Sequence, residues 1–232
     1  MMVMAALPVV LLCMSRFSPP VPFGTRSPRP STANCTENFI TQHLDHFSFT
    51  NDATFQQRYY TYEKYYSNEK GGPVFFYTGN EADVGLYVNA TGLIWENAEK
   101  FGAYIVFAEH RFYGASKPSN INLEGIANKP YAYLSHELAL ADYAILIETL
   151  RAQVPGLEKS AFIAFGGSYG GKMAAWLRMK YPGSVAGAIS ASAPLLAFRG
   201  ERPGWNTEAY YEIVTNTAKF YSPSSFLLEP LT

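Results

Sequence analysis

Short apolar runs separated by polar, glycine and proline segments set the pattern of this chain. Val74-Phe75-Phe76-Tyr77-Thr78, Ala103-Tyr104-Ile105-Val106-Phe107-Ala108 and Ala161-Phe162-Ile163-Ala164-Phe165 are continuous rather than alternating, which predicts strands covered on both faces. Val185-Ala186-Gly187-Ala188-Ile189-Ser190-Ala191 adds a strand of small residues. Phe55-Gln56-Gln57-Arg58-Tyr59-Tyr60-Thr61-Tyr62 alternates with aromatic residues and reads as an antiparallel edge strand, reached through 39–47 as the start of a β-meander. Helix patterns fall between the runs. One covers 93–100, and a second runs from an N-cap at Ser135 through Gln153, with Leu138, Ala141, Ile145, Leu146 and Thr149 facing inward and Pro155-Gly156 as its stop. A third covers 172–181 and ends at Pro182-Gly183, while Pro118, Asn120, Asn122, Gly125 and Pro130 make 115–134 a loop. Strand and helix alternate, so the fold class is α/β, with a mostly parallel sheet, right-handed crossovers and no internal repeat.

The third buried run leads straight into Gly166-Gly167-Ser168-Tyr169-Gly170-Gly171. Gly166-x-Ser168-x-Gly170 between a strand and a helix predicts a nucleophile elbow. A serine in such a tight turn sits in strained backbone geometry, and a side chain two positions to either side would collide with the helix or the strand; glycine removes the clash. The turn lifts the Ser168 hydroxyl above the sheet. It leaves the N–H of Tyr169, at the start of the helix, aimed where a tetrahedral oxyanion would form. A glycine-rich turn without chemistry has the same local pattern, and the strand and helix around it favour the catalytic reading. Glu109-His110-Arg111 crowds the carboxyl end of 103–108, the edge at which doubly wound sheets bind ligands.

Composition bounds the partners. With 232 residues, 48% hydrophobic, the chain suffices for one α/β domain with a sizeable core. A net charge of −1 with 18 scattered Lys and Arg gives no footprint for nucleic acid or for acidic membrane surfaces. The 17 Tyr and 16 Phe suit an aromatic-lined cleft or ordinary core packing.

Residues 1–14 are almost unbroken apolar sequence without an acidic residue, too short to span a bilayer, so 1–18 read as a secretory leader, with a short anchor as the alternative. No stable membrane insertion is expected once the leader is removed. Residues 19–37 form a Pro-rich linker or propeptide, 38–198 a partial α/β domain, and 199–232 a divergent tail. The sequons at Asn34 and Asn89 fit glycosylation during export. If the leader and Cys13 are removed, Cys35 has no partner within the chain.

Several segments together resemble one family: Gln42-x-Leu44-Asp45-His46-Phe47, Thr54-Phe55-x-Gln57-Arg58-Tyr59, Phe76-Tyr77-Thr78-Gly79-Asn80-Glu81, Phe107-Ala108-Glu109-His110-Arg111-x-Tyr113-Gly114, Ala139-Leu140-Ala141-Asp142 and the elbow. In this order over residues 40–198 the chain resembles the serine peptidases that include lysosomal Pro-Xaa carboxypeptidase, dipeptidyl peptidase II and thymus-specific serine protease. The resemblance implies an α/β-hydrolase domain with a helical insert after the elbow half, located in the lysosome or outside the cell, that cleaves peptides next to proline at one chain terminus. It makes Ser168 the acyl-forming nucleophile, gives the oxyanion hole Tyr169 and Asn80, and assigns Asn80 and Glu81 to the substrate's amino group. It also makes Glu109-His110-Arg111 a structural hydrogen-bonded cluster. Two positions depart from the family: Lys172 stands where members often carry a Met of the proline pocket, and Ala82 replaces the glycine of Gly-Asn-Glu-Gly-Asp.

An α/β-hydrolase takes its triad in the order Ser, Asp or Glu, His, yet no His or Asp follows Ser168. His43, His46, His110 and His136 all precede it. Without a base the serine is a poor nucleophile. His110 is a candidate substitute at the cleft edge, His43 and His46 read as satisfied polar residues, and His136 fits a first helical turn. None of the four has carboxylates at metal-ligand spacing, so neither metal nor cofactor is expected. The sequence therefore reads as the N-terminal part of a serine exopeptidase, truncated before the helical insert and the rest of the sheet, acting on peptides with proline near one terminus. The alternatives are an inactive exported glycoprotein and an α/β-hydrolase esterase; a homodimer stays open.

Overall fold

The computed structural model describes residues 30–67, 71–118, 131–195, 206 and 208–221. The expected leader, residues 19–29 of the Pro-rich segment, most of the 115–134 loop and the end of the tail lie outside the described residues.

Six strands form one sheet: β1 (Thr36–His43), β2 (Thr54–Tyr62), β3 (Val74–Thr78), β4 (Tyr104–Ala108), β5 (Phe162–Gly167) and β6 (Gly187–Ala191), in the spatial order β1-β2-β4-β3-β5-β6. β1, β2 and β4 pair antiparallel, while β4, β3, β5 and β6 run parallel. Helices α1 (Val84–Ala90), α2 (Leu93–Phe101), α3 (His136–Gln153), α4 (Tyr169–Lys180) and α5 (Ala209–Tyr221) connect or follow them. A mostly parallel sheet entered through an antiparallel hairpin, with a serine turn after β5, is the α/β-hydrolase arrangement.

The continuous apolar runs are central strands because each has two faces to bury. Val74 and Phe76 of β3, Val106 and Ala108 of β4, and Phe162 and Ala164 of β5 pack under α3 and α4. Phe75, Tyr77, Ile105, Phe107 and Phe165 pack on the opposite face against Val84 and Val88 of α1 and Ile94 and Ala98 of α2. The period of two within an unbroken apolar run thus feeds two cores.

Several expectations need correction. Ile145, expected to face inward from the helix over 136–153, is 45% exposed. Residues 55–62 are not an edge strand: β2 is paired to β1 on one side and β4 on the other, and among the described residues β1 forms the edge. Phe55, Gln57 and Tyr60 are buried within the sheet, not at its rim. The elbow helix begins at Tyr169, as the turn requires, and takes in Gly170 and Gly171 ahead of the 172–181 stretch whose composition marks it. Helix α1 was not expected; its signal is Asp83, whose side chain caps Gly85 N at 2.8 Å.

Among the described residues the first element is a 3-10 turn at Thr32–Asn34, capped by Ser31, and β1 follows at Thr36. Among the described residues, Ile189 of β6 is 44% exposed, and Ile213 and Phe220 of α5 are 66% and 77% exposed.

Candidate active site

β5 ends at Gly167 and α4 begins at Tyr169, so Ser168 alone makes the turn, with φ 55° and ψ −125°. That backbone is strained for a residue with a Cβ and is tolerated because the surroundings over-determine it. Ser168 N–H donates to the carbonyl of Ala191 on β6 at 2.9 Å, and the Ser168 carbonyl accepts Lys172 N–H at 3.2 Å. The Ser168 side chain is half-buried at the carboxyl edge of the parallel strands.

The two glycines of the motif are required by close approach. A Cβ on Gly166 would strike the Gly170 carbonyl and come within 2.7 Å of Thr78 Oγ1. A Cβ on Gly170 would strike Asn80 Oδ1 and come within 2.7 Å of the Thr78 carbonyl. Gly167, between them, faces open space, with nothing within 4 Å of such a Cβ. Thr78 fastens the crossing point: its hydroxyl lies 3.1 Å from the Phe165 carbonyl and 2.8 Å from that of Gly170. Ser190 Oγ donates to the Gly171 carbonyl at 2.7 Å from the other side. Neither Thr78 nor Ser190 stands out in the sequence, since a small hydroxyl residue at a strand end is common.

The first intrahelical bond of α4 is Lys172 N–H to Ser168 O, so the N–H of Tyr169 has no carbonyl one turn back to receive it. It stands at the positive end of the helix dipole, as an oxyanion donor must. Asn80 lies beside it. Its side chain is 5% exposed; Nδ2 donates to the Gly167 carbonyl at 2.7 Å, and Oδ1 accepts the Tyr77 hydroxyl at 3.3 Å. The side chain of Asn80 therefore braces the elbow. Glu81 is exposed, and its charge reaches four phenols: it adds to burial in raising Tyr77, Tyr87, Tyr113 and Tyr169 above the ordinary tyrosine range. Glu81 thus sets a carboxylate among tyrosines that include Tyr169, the residue after Ser168.

The Glu109-His110-Arg111 segment forms the cluster the resemblance implies. Glu109 is fully buried; its carboxylate accepts Arg58 Nη2 at 2.6 Å, Val84 N–H at 3.1 Å, Ala115 N–H at 2.9 Å and the Ser116 hydroxyl at 2.7 Å. Arg111 forms a two-pronged pair with buried Asp142, both contacts at 2.7 Å, and donates to the carbonyls of Leu44, Tyr133 and His43. His110 has both ring nitrogens committed: Nδ1 is 2.8 Å from the Arg111 carbonyl and Nε2 is 3.0 Å from the Tyr169 hydroxyl. Burial holds its pKa down to about 4, so the ring is neutral near pH 7. A general base needs a free nitrogen aimed at the nucleophile, so His110 is no substitute for the triad imidazole. His46 bonds Asp142 at 2.7 Å, and His136 opens α3 with its ring tilted against that of Trp176, centroids 5.0 Å apart.

Asn34 and Asn89 are both exposed, and Asn89 Oδ1 accepts Thr32 N–H at 3.0 Å, which leaves its Nδ2 available. Cys35 is half-buried, and burial pushes its thiol up to about 11. A cavity of about 590 Å³ opens between α3 and α4, lined by residues that include His136, Leu140, Trp176 and Lys180; Ser168 does not line it.

The model of one family, serine carboxypeptidase S28, matches residues 42–226. Human lysosomal Pro-X carboxypeptidase is 48% identical over 160 residues, covering 69% of this chain and 32% of the relative. Its bovine counterpart is 42% identical over 198 residues, covering 84% and 38%. Mouse thymus-specific serine protease is 35% identical over 161 residues, covering 69% and 31%. The chain thus spans about a third of the length of these curated relatives. The match takes in the elbow, the Asn80 loop and the buried Glu109-His110-Arg111 cluster alike, and the chain belongs to the serine carboxypeptidase S28 family.

Proposed function

We propose that this chain carries the nucleophile half of a serine-type exopeptidase that cleaves peptides next to proline. The observation that carries the reading is the strained Ser168 turn, with the Tyr169 N–H at the head of α4, in a chain of this family. In the proposed reaction Ser168 Oγ attacks the scissile carbonyl, its proton passes to a base, and the carbonyl oxygen takes up negative charge facing the N–H groups of Tyr169 and Asn80. Collapse expels the amine with a proton and leaves an acyl-enzyme, which water then hydrolyses. His110 does not supply that base, since both of its ring nitrogens are committed. Asn80 and Glu81 take the substrate side, with Glu81 set to pair with an amino group. Lys172, one turn into α4, lies 5.5 Å from the Tyr169 ring and 5.6 Å from that of Trp176, so its ammonium sits between two aromatic rings.

The reading includes export through a glycosylating compartment, with sugar on Asn34 and Asn89, and residence in the lysosome or outside the cell; the lysosomal relatives support this. A homodimer is admitted by the open apolar surfaces of β6 and α5.

A fluorophosphonate probe tests the proposal. Labelling that Ser168→Ala abolishes supports the nucleophile, and release from Pro-containing peptides rather than short-chain esters supports the peptidase. The commitment of His110 favours one other reading, an inert exported glycoprotein, which predicts no labelling of the purified chain.

A further inference from the structure

Each chain neighbour of Ser168 is held by a side chain from a loop that follows another strand. Before the serine, the Gly167 carbonyl accepts Asn80 Nδ2 from the loop after β3. After it, the Tyr169 hydroxyl lies 3.0 Å from Nε2 of His110 in the loop after β4.

The chemistry of the imidazole fixes the direction of that second bond. Nδ1 lies 2.8 Å from a backbone carbonyl, which can only accept, so Nδ1 carries the hydrogen. Nε2 then offers a lone pair, and the phenol must donate to it. The ring is confined by Tyr113, Tyr143 and Tyr169, with centroids 5.4, 6.5 and 5.5 Å away. Its two neighbours in sequence are anchored through Glu109 and Arg111, so the ring is set on a framework that spans β1, β2 and α3. Such a framework fixes geometry without touching a substrate.

We propose that His110 is a positioning residue for the nucleophile elbow: Nε2 accepts the Tyr169 hydroxyl and so fixes the first residue of α4, and with it the backbone N–H that meets a developing oxyanion. The role rests on the reading of Ser168 as nucleophile. The groups that face the ring are Arg111 beside it, Asp142 from α3, the phenols of Tyr113, Tyr143 and Tyr169, and Glu109 on its own segment. Protonation of His110 would give Nε2 a hydrogen and abolish its acceptor, releasing the phenol.

The test is nuclear magnetic resonance on the ¹⁵N-labelled 232-residue chain. Long-range correlations should give His110 as the neutral Nδ1–H tautomer at pH 7. The backbone amide of Tyr169 should shift as His110 titrates near about pH 4, and Tyr169→Phe should reduce that response by about threefold or more while leaving the tautomer intact. His110→Gln, whose Oε1 can accept the phenol, should keep the residue-169 amide near its wild-type position, and His110→Leu should displace it. An Nε2–H tautomer, or a titration response equal with and without the Tyr169 hydroxyl, overturns the proposal, and the tautomer is read without any variant. Fluorophosphonate labelling separates the two readings. If labelling stays intact but the coupling is missing, the positioning role alone fails; if the coupling is intact but labelling is absent, the nucleophile reading fails and takes the catalytic sense of the positioning with it.

Discussion

Asn80 Nδ2 donates to the Gly167 carbonyl at 2.7 Å, tying the loop after β3 to the last residue before the serine. Asn80→Ala would leave that carbonyl without its donor in a site where Asn80 is 5% exposed, and should cost about 1–3 kcal/mol. Asn80→Asp should cost at least as much, because a carboxylate oxygen would then face a carbonyl oxygen. Denaturant unfolding of both variants measures this; an unchanged midpoint for Asn80→Asp would show that the contact is not made.

The three glycines around the elbow should respond unequally to the same added methyl. Gly166→Ala and Gly170→Ala place a Cβ against the Gly170 carbonyl and Asn80 Oδ1 respectively, both held by the sheet, and should cost about 3 kcal/mol or more. Gly167→Ala meets open space and should stay within about 1 kcal/mol of wild type. Thermal unfolding of the three variants side by side is the measurement.

Ser168 occupies a backbone region that glycine enters freely, with φ 55° and ψ −125°. Ser168→Gly should therefore raise stability by about 1 kcal/mol while removing the nucleophile, whereas Ser168→Ala should remove the nucleophile and keep the strain. A Ser168→Gly variant no more stable than Ser168→Ala would argue against stored strain.

Arg111 and Asp142 form a fully buried pair, with His46 as a further partner of the carboxylate. Breaking it from one side, by Arg111→Gln or Asp142→Asn, should cost about 3–5 kcal/mol, because a buried charge is left uncompensated. The double variant should lose less than the two single losses together, since the second change removes the stranded charge. Chemical denaturation of the four proteins completes the cycle.

His110 gives the protein a pH dependence of defined sign. Its pKa falls from 6.5 to about 4 on folding, so between those values the unfolded chain binds the proton and the folded chain does not. Stability from this group is intact above about pH 6.5, declines as the pH falls toward about 4, and changes no further below that. The full loss is about 3 kcal/mol. His110→Gln should flatten this part of the stability profile; an unaltered slope would place the origin elsewhere.

Legibility followed the range of the forces involved. The buried strands could be read from the sequence because a two-faced strand must be apolar throughout, and β3, β4 and β5 are. The elbow could be read because its glycines answer a local collision. β2 was misplaced at the edge because alternation records which side chains are buried and says nothing about how many neighbours the backbone has. α1 was missed because seven residues carry too little periodicity to register. The bracing of Ser168 by Asn80, Thr78 and Ser190, and of Tyr169 by His110, joins residues up to 92 positions apart, and no local pattern encodes such bonds.

The amino-acid sequence alone determined the alternation of strand and helix and the serine turn, because each is a matter of residue type and near-neighbour spacing. Only the tertiary structure decided what His110 does. In sequence it is an imidazole at a strand end, a candidate substitute base that the resemblance assigns instead to a structural cluster. The fold brings the Arg111 carbonyl to one nitrogen and the Tyr169 hydroxyl to the other, and a ring bonded on both sides in a dry site has no lone pair left for the serine.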